Sequence, residues 1–557
     1  MMFSVTVAAA IHPRSPWMDM ADPPRVRASK LVAQMTTDEK LNLHHGSCGG
    51  YTGNVCANPR LGIPALKMND GPQGFRGAPS TSTAFPAAVT VAATWSTELA
   101  QQWGEGMGDE FYRKGANVQL GPGLCVARVP RNGRNFEYVS GEDPFLGYHL
   151  GGAVVRGIQS QGVVANAKHC EMRGIRSHTF VSHTRYAAPQ PCVHRLSRAE
   201  SNLPPMAGVV NNQETDRHFI SENVDERTMF EIYYPPFEGA IVAGLGSVMC
   251  SYNLIGQDLP AGSVGNWSCE NDATLRRDLK GRLGFDGWVM SDWGATHSTS
   301  LARGLDQEMP GASYMSNGRI SALMDAGEIS PEMLDNSSWR VLWPLFAVGA
   351  FDTPNNNTAA ADVRTPNHTA LARRLAARGT VLLKNQGLLP VSLSAGVQRI
   401  AVIGSQAAAP TIAGGGSGAV STSFVSTPLE ALRARVNSSG GGVAIMYSDG
   451  RDFDNATATA EAADVVLVFV GTWSREGADR ADLRLGSQDE LIAAVAAVAG
   501  NRTAVVAVTP GALLTDWRDN VSAVLTAFMP GEQYGDAIVD VLFGDVNPSA
   551  KLPVSGR

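Results

Sequence analysis

Residues 284–293 read Gly-Phe-Asp-Gly-Trp-Val-Met-Ser-Asp-Trp, and this stretch decides how the first half of the chain is interpreted. A turn of glycine and aspartate leads into an apolar run, residues 287–290, which has the length of a buried strand. Asp292 follows this run. A carboxylate just past the C-terminal end of a buried strand occupies the position where barrel enzymes carry their catalytic groups. A strand-capping aspartate fits the segment equally well, so residues elsewhere must decide between the two interpretations.

Short β-type runs alternate with helical patterns from residue 26 to residue 345. This alternation predicts a parallel sheet with helical crossovers, and about eight such units suit a (β/α)8 TIM-like barrel. The predicted strands of this barrel are residues 65–69, 116–120, 163–167, 246–251 and 287–291.

Polar side chains follow these predicted strands at or just past their C-terminal ends. They are Asp70, Lys168, His169, Tyr252 and Asp292. Loops at the C-terminal ends of barrel strands build the active site in barrel enzymes, so we expect these five side chains to share one site.

A second domain follows a polar, proline-containing stretch that has no apolar periodicity. We interpret residues 346–370 as a linker and residues 371–557 as a C-terminal α/β sandwich domain with a mostly parallel sheet. A helix is predicted over residues 487–499, and the predicted strands are residues 399–403, 443–447, 465–470, 504–508 and 523–528.

The composition excludes several classes of function. The chain has 557 residues, 44% of them hydrophobic, and a net charge of −7 without a basic stripe, which argues against nucleic acid as a partner. No apolar run approaches the length of a membrane span. No spacing of cysteine and histidine resembles a zinc site, and the glycine-rich residues 414–418 and 400–404 lack the endings of nucleotide-binding loops. We therefore expect no metal, no cofactor and a neutral or weakly polar substrate, while the oligomeric state stays open.

Several features point towards secretion. Residues 1–25 form an N-terminal extension whose short apolar run is interpreted as a clipped signal peptide. Cys48 can pair with Cys56, and Cys250 with Cys269. The chain also contains eight glycosylation sequons, at Asn266, Asn336, Asn356, Asn367, Asn437, Asn455, Asn501 and Asn520.

Taken in order, several motifs resemble those of glycoside hydrolase family 3, the β-glucosidase family. The resemblance covers about residues 26–554. The matching segments are residues 59–76 with Asp-Gly-Pro-Gln-Gly-Phe-Arg, 120–123, 133–137 (Gly-Arg-Asn-Phe-Glu), 168–169 (Lys-His), 212–217 (Asn-Gln-Glu-Thr-Asp-Arg), 247–253, 284–293, 471–480 (Gly-Thr-Trp-Ser-Arg-Glu-Gly-Ala-Asp-Arg), 530–535 and 542–554.

The resemblance implies a retaining glycosidase, which needs a carboxylate nucleophile and a second carboxyl group that first protonates the leaving oxygen and then activates water. It assigns the nucleophile to Asp292. The acid/base would be Glu476, delivered to the barrel mouth by a loop of the second domain.

By the same resemblance, a set of polar residues binds the sugar, and Trp293 offers it an apolar platform. Cations around Asp292 would also keep its carboxylate ionised. The polar set consists of Asp70, Arg134, Lys168, His169, Arg217, Tyr252 next to the nucleophile, and Ser417 from the second domain.

The residue after Ser291-Asp292 bears on the substrate. Relatives that resemble xylosidases usually have cysteine there, whereas tryptophan is usual in the glucosidase group, so Trp293 favours exo-acting hydrolysis of β-D-glucosides such as cellobiose or aryl glucosides. A β-xylosidase of the same family is one alternative. A catalytically impaired sugar-binding protein is the other.

That second alternative arises from an insertion. Lys168 and Arg217 are 49 positions apart, whereas the family pattern places the matching residues 11 apart. The extra segment, residues 171–208, is interpreted as a retained intron, because its ends can be encoded by splice-site sequences and its removal restores the family spacing. A genuine surface-loop insertion is the alternative. The insertion threatens the placement of Lys168, His169 and Arg217.

We also expect the second domain to be truncated at its end, without the fibronectin-like domain that many relatives carry.

Overall fold

A computed structural model describes residues 15–77, 81–170, 212–257, 259, 263–393, 396–440 and 442–556. The segment interpreted as an intron, residues 171–208, therefore lies outside the described residues, as does most of the proposed signal peptide. The strands are β1 (Gly53–Val55), β2 (Leu66–Asp70), β3 (Val118–Leu120), β4 (Val164–Cys170), β5 (Ser221–Val224), β6 (Ser247–Cys250), β7 (Leu254–Gln257), β8 (Asn266–Trp267), β9 (Trp288–Ser291), β10 (Val381–Asn385), β11 (Arg399–Ile403), β12 (Ala444–Ser448), β13 (Val465–Gly471), β14 (Thr503–Val508) and β15 (Ala523–Thr526).

The helices carry recognisable start signals. Thr36 and Glu39 form a capping box at the second helix, and Asp143 caps the fifth helix immediately before a proline at its first position. The α-helices are α1 (Pro24–Val32), α2 (Thr37–Leu41), α3 (Ala88–Ala93), α4 (Thr97–Arg113), α5 (Pro144–Ser160), α6 (Glu226–Thr228), α7 (Pro235–Val242), α8 (Asn317–Asp325), α9 (Pro331–Ala347), α10 (Pro366–Arg378), α11 (Pro428–Ser438), α12 (Phe453–Glu461), α13 (Ser487–Ala499) and α14 (Tyr534–Leu542).

The first domain is a curled sheet of six strands in the order β1-β2-β3-β4-β6-β9. Strands β2, β3, β4, β6 and β9 are all parallel to one another. The edge strand β1 pairs antiparallel with β2. The five parallel strands are the five that the sequence predicts, each within three residues at either end. Strands β5, β7 and β8 form a separate small sheet.

Two short segments close the barrel. Asp306 and Gln307 bond to β9, and the N–H of the next residue, Glu308, donates to the carbonyl of His44 at 3.0 Å. On the other side, the N–H of Ser47 donates to the carbonyl of Asn54 in β1 at 2.8 Å. The predicted barrel followed by a second α/β domain is therefore confirmed. It differs from a regular (β/α)8 barrel because β1 is antiparallel and these two segments take the place of full strands.

The second domain is a six-stranded sheet in the order β10-β15-β14-β13-β11-β12. Every pair is parallel except β10–β15, and β13 is buried along its whole length, as expected for a central strand covered by helices on both faces. This confirms the predicted mostly parallel sheet. Helix α13 and strand β11 have the predicted bounds.

The two domains share an apolar core. Helix α3 and Phe136 of the first domain pack in one buried cluster with strands β11, β13, β14 and β15. Helix α10, which begins inside the stretch interpreted as a linker, packs against α4 and α14. The loops of the second domain are thereby held over the barrel. Within the described residues, no helix is long and apolar enough to cross a bilayer.

Candidate active site

The C-terminal ends of the parallel strands bring the predicted side chains to one edge of the barrel. Lys168 and His169 lie at the end of β4, and Lys168 is in register with Met249 of β6. Tyr252 follows β6 and Asp292 follows β9, where Cys250 is in register with Ser291. Strands β4, β6 and β9 are neighbours, so these four side chains meet at the barrel mouth.

Asp292 is buried and held at one of its two oxygens. Its Oδ1 accepts the backbone N–H of Trp293 at 2.7 Å. Its Oδ2 lies 3.4 Å from Nε2 of His169 and has no hydrogen-bond partner among the described residues. The side chain is thus fixed in direction while one oxygen stays available for reaction.

The pKa of Asp292 depends on burial as well as on the nearby cations. Burial raises the pKa of its carboxyl group above the ordinary value, and the nearby Glu476 adds to this, although Arg134 and Lys168 act in the opposite direction. The cations therefore favour the ionised carboxylate, as the sequence predicts, but burial outweighs them and the net shift of the pKa is upward. A count of nearby cations from sequence leaves out desolvation, which dominates here.

His169 and Tyr252 complete the surroundings of Asp292. Burial, together with the positive charges of Arg134 and Lys168, lowers the pKa of His169 well below its ordinary value, so the imidazole is neutral. Burial and the adjacent Asp292 carboxylate raise the pKa of the Tyr252 hydroxyl. Both rings therefore face the carboxylate as neutral groups.

Glu476 reaches the same site from the second domain, in the loop after β13. Its Oε1 lies 2.9 Å from Nη1 of Arg217 and 3.4 Å from Nη1 of Arg134. Its Oε2 accepts the backbone N–H of Ser417 at 2.7 Å. Two barrel arginines and a backbone amide of the second domain thus hold this carboxylate.

These contacts set the charge of Glu476. Burial acts to raise its pKa, but the guanidinium groups of Arg134 and Arg217 outweigh burial and lower the pKa well below the ordinary value. The carboxylate is ionised in this structure.

Both arginines have a second carboxylate partner three residues away. Nη2 of Arg134 lies 2.8 Å from Oε2 of Glu137, and both side chains are buried. Nη1 of Arg217 lies 2.7 Å from Oε2 of Glu214. Glu137 and Glu214 were not predicted as site residues, although both stand in the quoted motifs and a buried arginine requires a counter-charge.

The other predicted residues, Ser417, Trp293 and Asp70, differ in their contacts. Oγ of Ser417 accepts from Nη2 of Arg134 at 2.9 Å. The indole of Trp293 is half-buried and donates to the carbonyl of Thr52 at 3.3 Å. Asp70, at the end of β2, is paired with Arg76 at 2.7 Å, and none of its contacts within the described residues reaches Asp292 or Glu476. Arg76 was also missed, although it ends the motif that Asp70 begins.

The two cysteine pairings expected from sequence are present. Disulfides join Cys48 to Cys56 and Cys250 to Cys269, and the second ties the end of β6 to the segment after β8. Cys125 is buried and free. Among the described residues, no group of three or more His, Cys, Asp or Glu side chains is arranged to hold a metal ion.

Both domains match family models. The model described as "Glycosyl hydrolase family 3 N terminal domain" matches residues 49–204 and 207–343. The model described as "Glycosyl hydrolase family 3 C-terminal domain" matches residues 380–556.

Named relatives show the same similarity. The chain is 33% identical to "Probable beta-glucosidase G" of Emericella nidulans, over 95% of this chain and 67% of that protein. It is 34% identical to "Beta-glucosidase 1" of Aspergillus aculeatus, over 95% of this chain and 64% of that protein. The chain therefore spans about two thirds of the length of these relatives.

Solved structures resemble the whole chain. A β-D-glucoside glucohydrolase from Trichoderma reesei superposes with a TM-score of 0.80 at 29% identity, covering 97% of this chain and 74% of that one. DesR, a β-glucosidase from Streptomyces venezuelae solved with D-glucose, gives a TM-score of 0.81 at 28% identity, covering 95% of this chain and 77% of that one.

Proposed function

This chain belongs to glycosyl hydrolase family 3, and from that membership we propose that it is a β-glucosidase that removes terminal β-D-glucosyl residues with retention of configuration. The substrates we propose are cellobiose, short glucosides and aryl β-glucosides. The names of its relatives support this activity.

In the proposed reaction, Asp292 is the nucleophile and Glu476 is the acid/base. Oδ2 of Asp292 attacks the anomeric carbon while the protonated carboxyl of Glu476 gives its proton to the glycosidic oxygen, and the bond to the leaving group breaks. Glu476 then takes a proton from water, which attacks the same carbon and releases glucose from Asp292. His169 and Tyr252 are both neutral, so neither forms an ion pair with the Asp292 carboxylate when it attacks.

One observation carries the proposal: two carboxylates from different domains share one buried group of cations. Arg134 acts on the charge of both Asp292 and Glu476, and it also contacts Ser417. Guanidinium groups make paired, directional hydrogen bonds to neighbouring oxygens, which suits the adjacent hydroxyls of a sugar. We propose that Arg134, Arg217, Lys168, His169, Asp70 and Ser417 bind the glucosyl unit, with Trp293 below its apolar face.

Rescue by azide tests both catalytic roles. We expect Asp292→Ala and Glu476→Ala to lose turnover of 4-nitrophenyl β-glucoside by at least about a hundredfold. Azide should then yield the α-glucosyl azide from the first variant and the β-glucosyl azide from the second, because azide replaces the nucleophile in one case and water in the other. Asp286→Asn, a partly exposed acid just before the same strand, is the control.

The outcome also separates the alternatives. Turnover that survives in Asp292→Ala without azide would refute its assignment as the nucleophile. Faster hydrolysis of the matching xyloside would make the protein a β-xylosidase. Absence of turnover from every substrate would favour a sugar-binding protein.

We further propose that the protein is secreted and glycosylated. All eight sequon asparagines are exposed, whereas four of the 17 other described asparagines are exposed. Within the part of the chain that the structure describes, Nδ2 of none of the eight donates a hydrogen bond; Oδ1 of Asn336 and Asn455 only accepts. By contrast, Nδ2 of the buried Asn166 donates to Ser247 at 2.7 Å.

Mass spectrometry of the protein from its native culture tests this proposal. Enzymatic removal of N-glycans in heavy-oxygen water should mark these asparagines as labelled aspartate. The exposed Asn42, Asn357, Asn385 and Asn547, which stand outside sequons, are internal controls. Unmodified sequon peptides throughout would contradict glycosylation.

A further inference from the structure

One carboxylate joins the loop of Glu476 to the barrel. Asp479, three residues after Glu476, accepts hydrogen bonds from the backbone N–H groups of Glu214 at 2.8 Å, Thr215 at 3.1 Å and Gly133 at 3.3 Å. Bonds from N–H groups to an ionised acceptor are stronger than bonds between neutral groups. A single side chain of the second domain therefore holds two separate loops of the first.

Each of those two loops presents one arginine to Glu476. Gly133 directly precedes Arg134. Glu214 binds Arg217 through its carboxylate, and the same Oε2 atom accepts the backbone N–H of Gly477 at 2.8 Å. The amides bound by Asp479 thus belong to the same two loops that carry Arg134 and Arg217, the cation partners of Glu476.

The contact between the loops leaves no room for adjustment. A Cβ atom on Gly133 would lie 2.0 Å from the carbonyl oxygen of Ala478 and 2.3 Å from that of Arg475. Oγ of Ser474 donates to the carbonyl of Gly133 at 2.7 Å. The two loops therefore pack at a fixed distance, and the Asp479 carboxylate accepts its hydrogen bonds at that contact.

We propose that Asp479 is a positioning residue, whose three backbone hydrogen bonds fix the acid/base Glu476 relative to Arg134, Arg217 and the glycosidic oxygen. This inference rests on the function proposed above. Asp479 contacts none of the proposed reacting groups and acts through the loops. A displacement of about 1 Å in such a group can lower the rate on the order of a hundredfold.

The test compares leaving groups, because a mispositioned acid harms only substrates that need a proton. Asp479→Asn keeps the size of the side chain but replaces one acceptor oxygen by an amide that faces N–H groups. We expect kcat/KM for phenyl β-glucoside to fall about 10- to 100-fold, and kcat/KM for 2,4-dinitrophenyl β-glucoside to fall less than about threefold. Asp482→Asn, an exposed acid of the same loop that bonds only to Arg484 within the described residues, should leave both values unchanged.

A second variant leaves the charge of Asp479 in place. Gly133→Ala forces the loops apart through its added methyl group, so it should show the same dependence on the leaving group. Turnover of the dinitrophenyl substrate reports that each variant is folded. Equal losses on both substrates in both variants, or no loss in either, would overturn the positioning role. Failure of the parent protein on every glucoside would instead overturn the proposed function.

Discussion

Nη1 of Arg217 lies 2.9 Å from Oε1 of Glu476, so the candidate acid/base is ion-paired. A general acid must carry a proton, and Glu476 has its pKa lowered while Asp292 has its pKa raised. The first step requires the opposite order of pKa values, with Glu476 protonated and Asp292 ionised. Sugar hydroxyls that bind Arg134 and Arg217 would weaken the ion pairs and favour protonation of Glu476.

Removal of one cation should move the pH profile. In Arg217→Met the pKa of Glu476 rises, because Arg217 is one of the two cations that lower it. Because the pKa of Glu476 is lowered and that of Asp292 is raised in the free enzyme, Glu476 sets the acidic limb of kcat/KM and Asp292 sets the basic limb. The acidic limb therefore shifts upwards. Arg227→Met, at an exposed helix position, is the control. An acidic limb that stays in place would contradict the ion-pair account.

The glycine at position 416 should be required for activity. Its φ is +86°, and an added Cβ would lie 2.3 Å from Cβ of Glu476. We expect Gly416→Ala to lower kcat at least about tenfold and to cost about 1–2 kcal/mol in stability. Gly440→Ala, with φ +96° and open space around the new methyl group, should lose stability but keep kcat. Steady-state kinetics and thermal unfolding compare the two.

The buried pair of Arg134 and Glu137 should matter more for stability than an exposed pair. Glu137→Gln leaves a buried guanidinium with less compensating charge, which we expect to cost about 3 kcal/mol. Glu231→Gln breaks the exposed pair with Arg227 and should cost less than about 1 kcal/mol. The midpoint of urea unfolding measures both. Equal urea midpoints for the two variants would show that other groups compensate the charge of Arg134 when Glu137 is neutral.

His44 should make the protein less stable in acid. Burial lowers the pKa of His44 from 6.5 to about 4. Between these pH values the unfolded chain binds a proton that the folded chain does not, so stability falls as pH decreases from about 6.5 to about 4, by about 3 kcal/mol in total. His44→Gln should flatten this slope, whereas the exposed His149→Gln should not. Unfolding midpoints across this range test the prediction.

Deletion of residues 171–208 should leave an active enzyme. Lys168, His169 and Arg217 already meet at the site, so we expect kcat/KM of the shortened chain to equal or exceed that of the full chain. Assays of both forms on one glucoside, with sequencing of the mature transcript, check the interpretation as an intron. A shortened chain that is folded but inactive would make the segment part of the working enzyme.

The sequence predicted those features that depend on apolar pattern or on family motifs. Strand β11 and helix α13 were predicted with their observed bounds, because buried runs and helical periodicity mark them directly. Strand β10 was missed, since it is a short edge strand with alternating exposure. The raised pKa of Asp292 and the bonds of Asp479 were missed because burial and contacts between loops depend on tertiary packing.

The hydrogen bonds that close the barrel limit the order in which the first domain can fold during synthesis. His44 bonds to the carbonyl of Asp306, 262 positions later, and the N–H of Ser291, the residue before Asp292, bonds to the carbonyl of Gln307. During synthesis from the N-terminus, the outer edge of β9 stays open until residues 306–309 emerge. An open strand edge invites pairing with other chains. Most of the first domain must therefore be synthesised before β9, the strand that precedes Asp292, gains the neighbour that covers its outer edge.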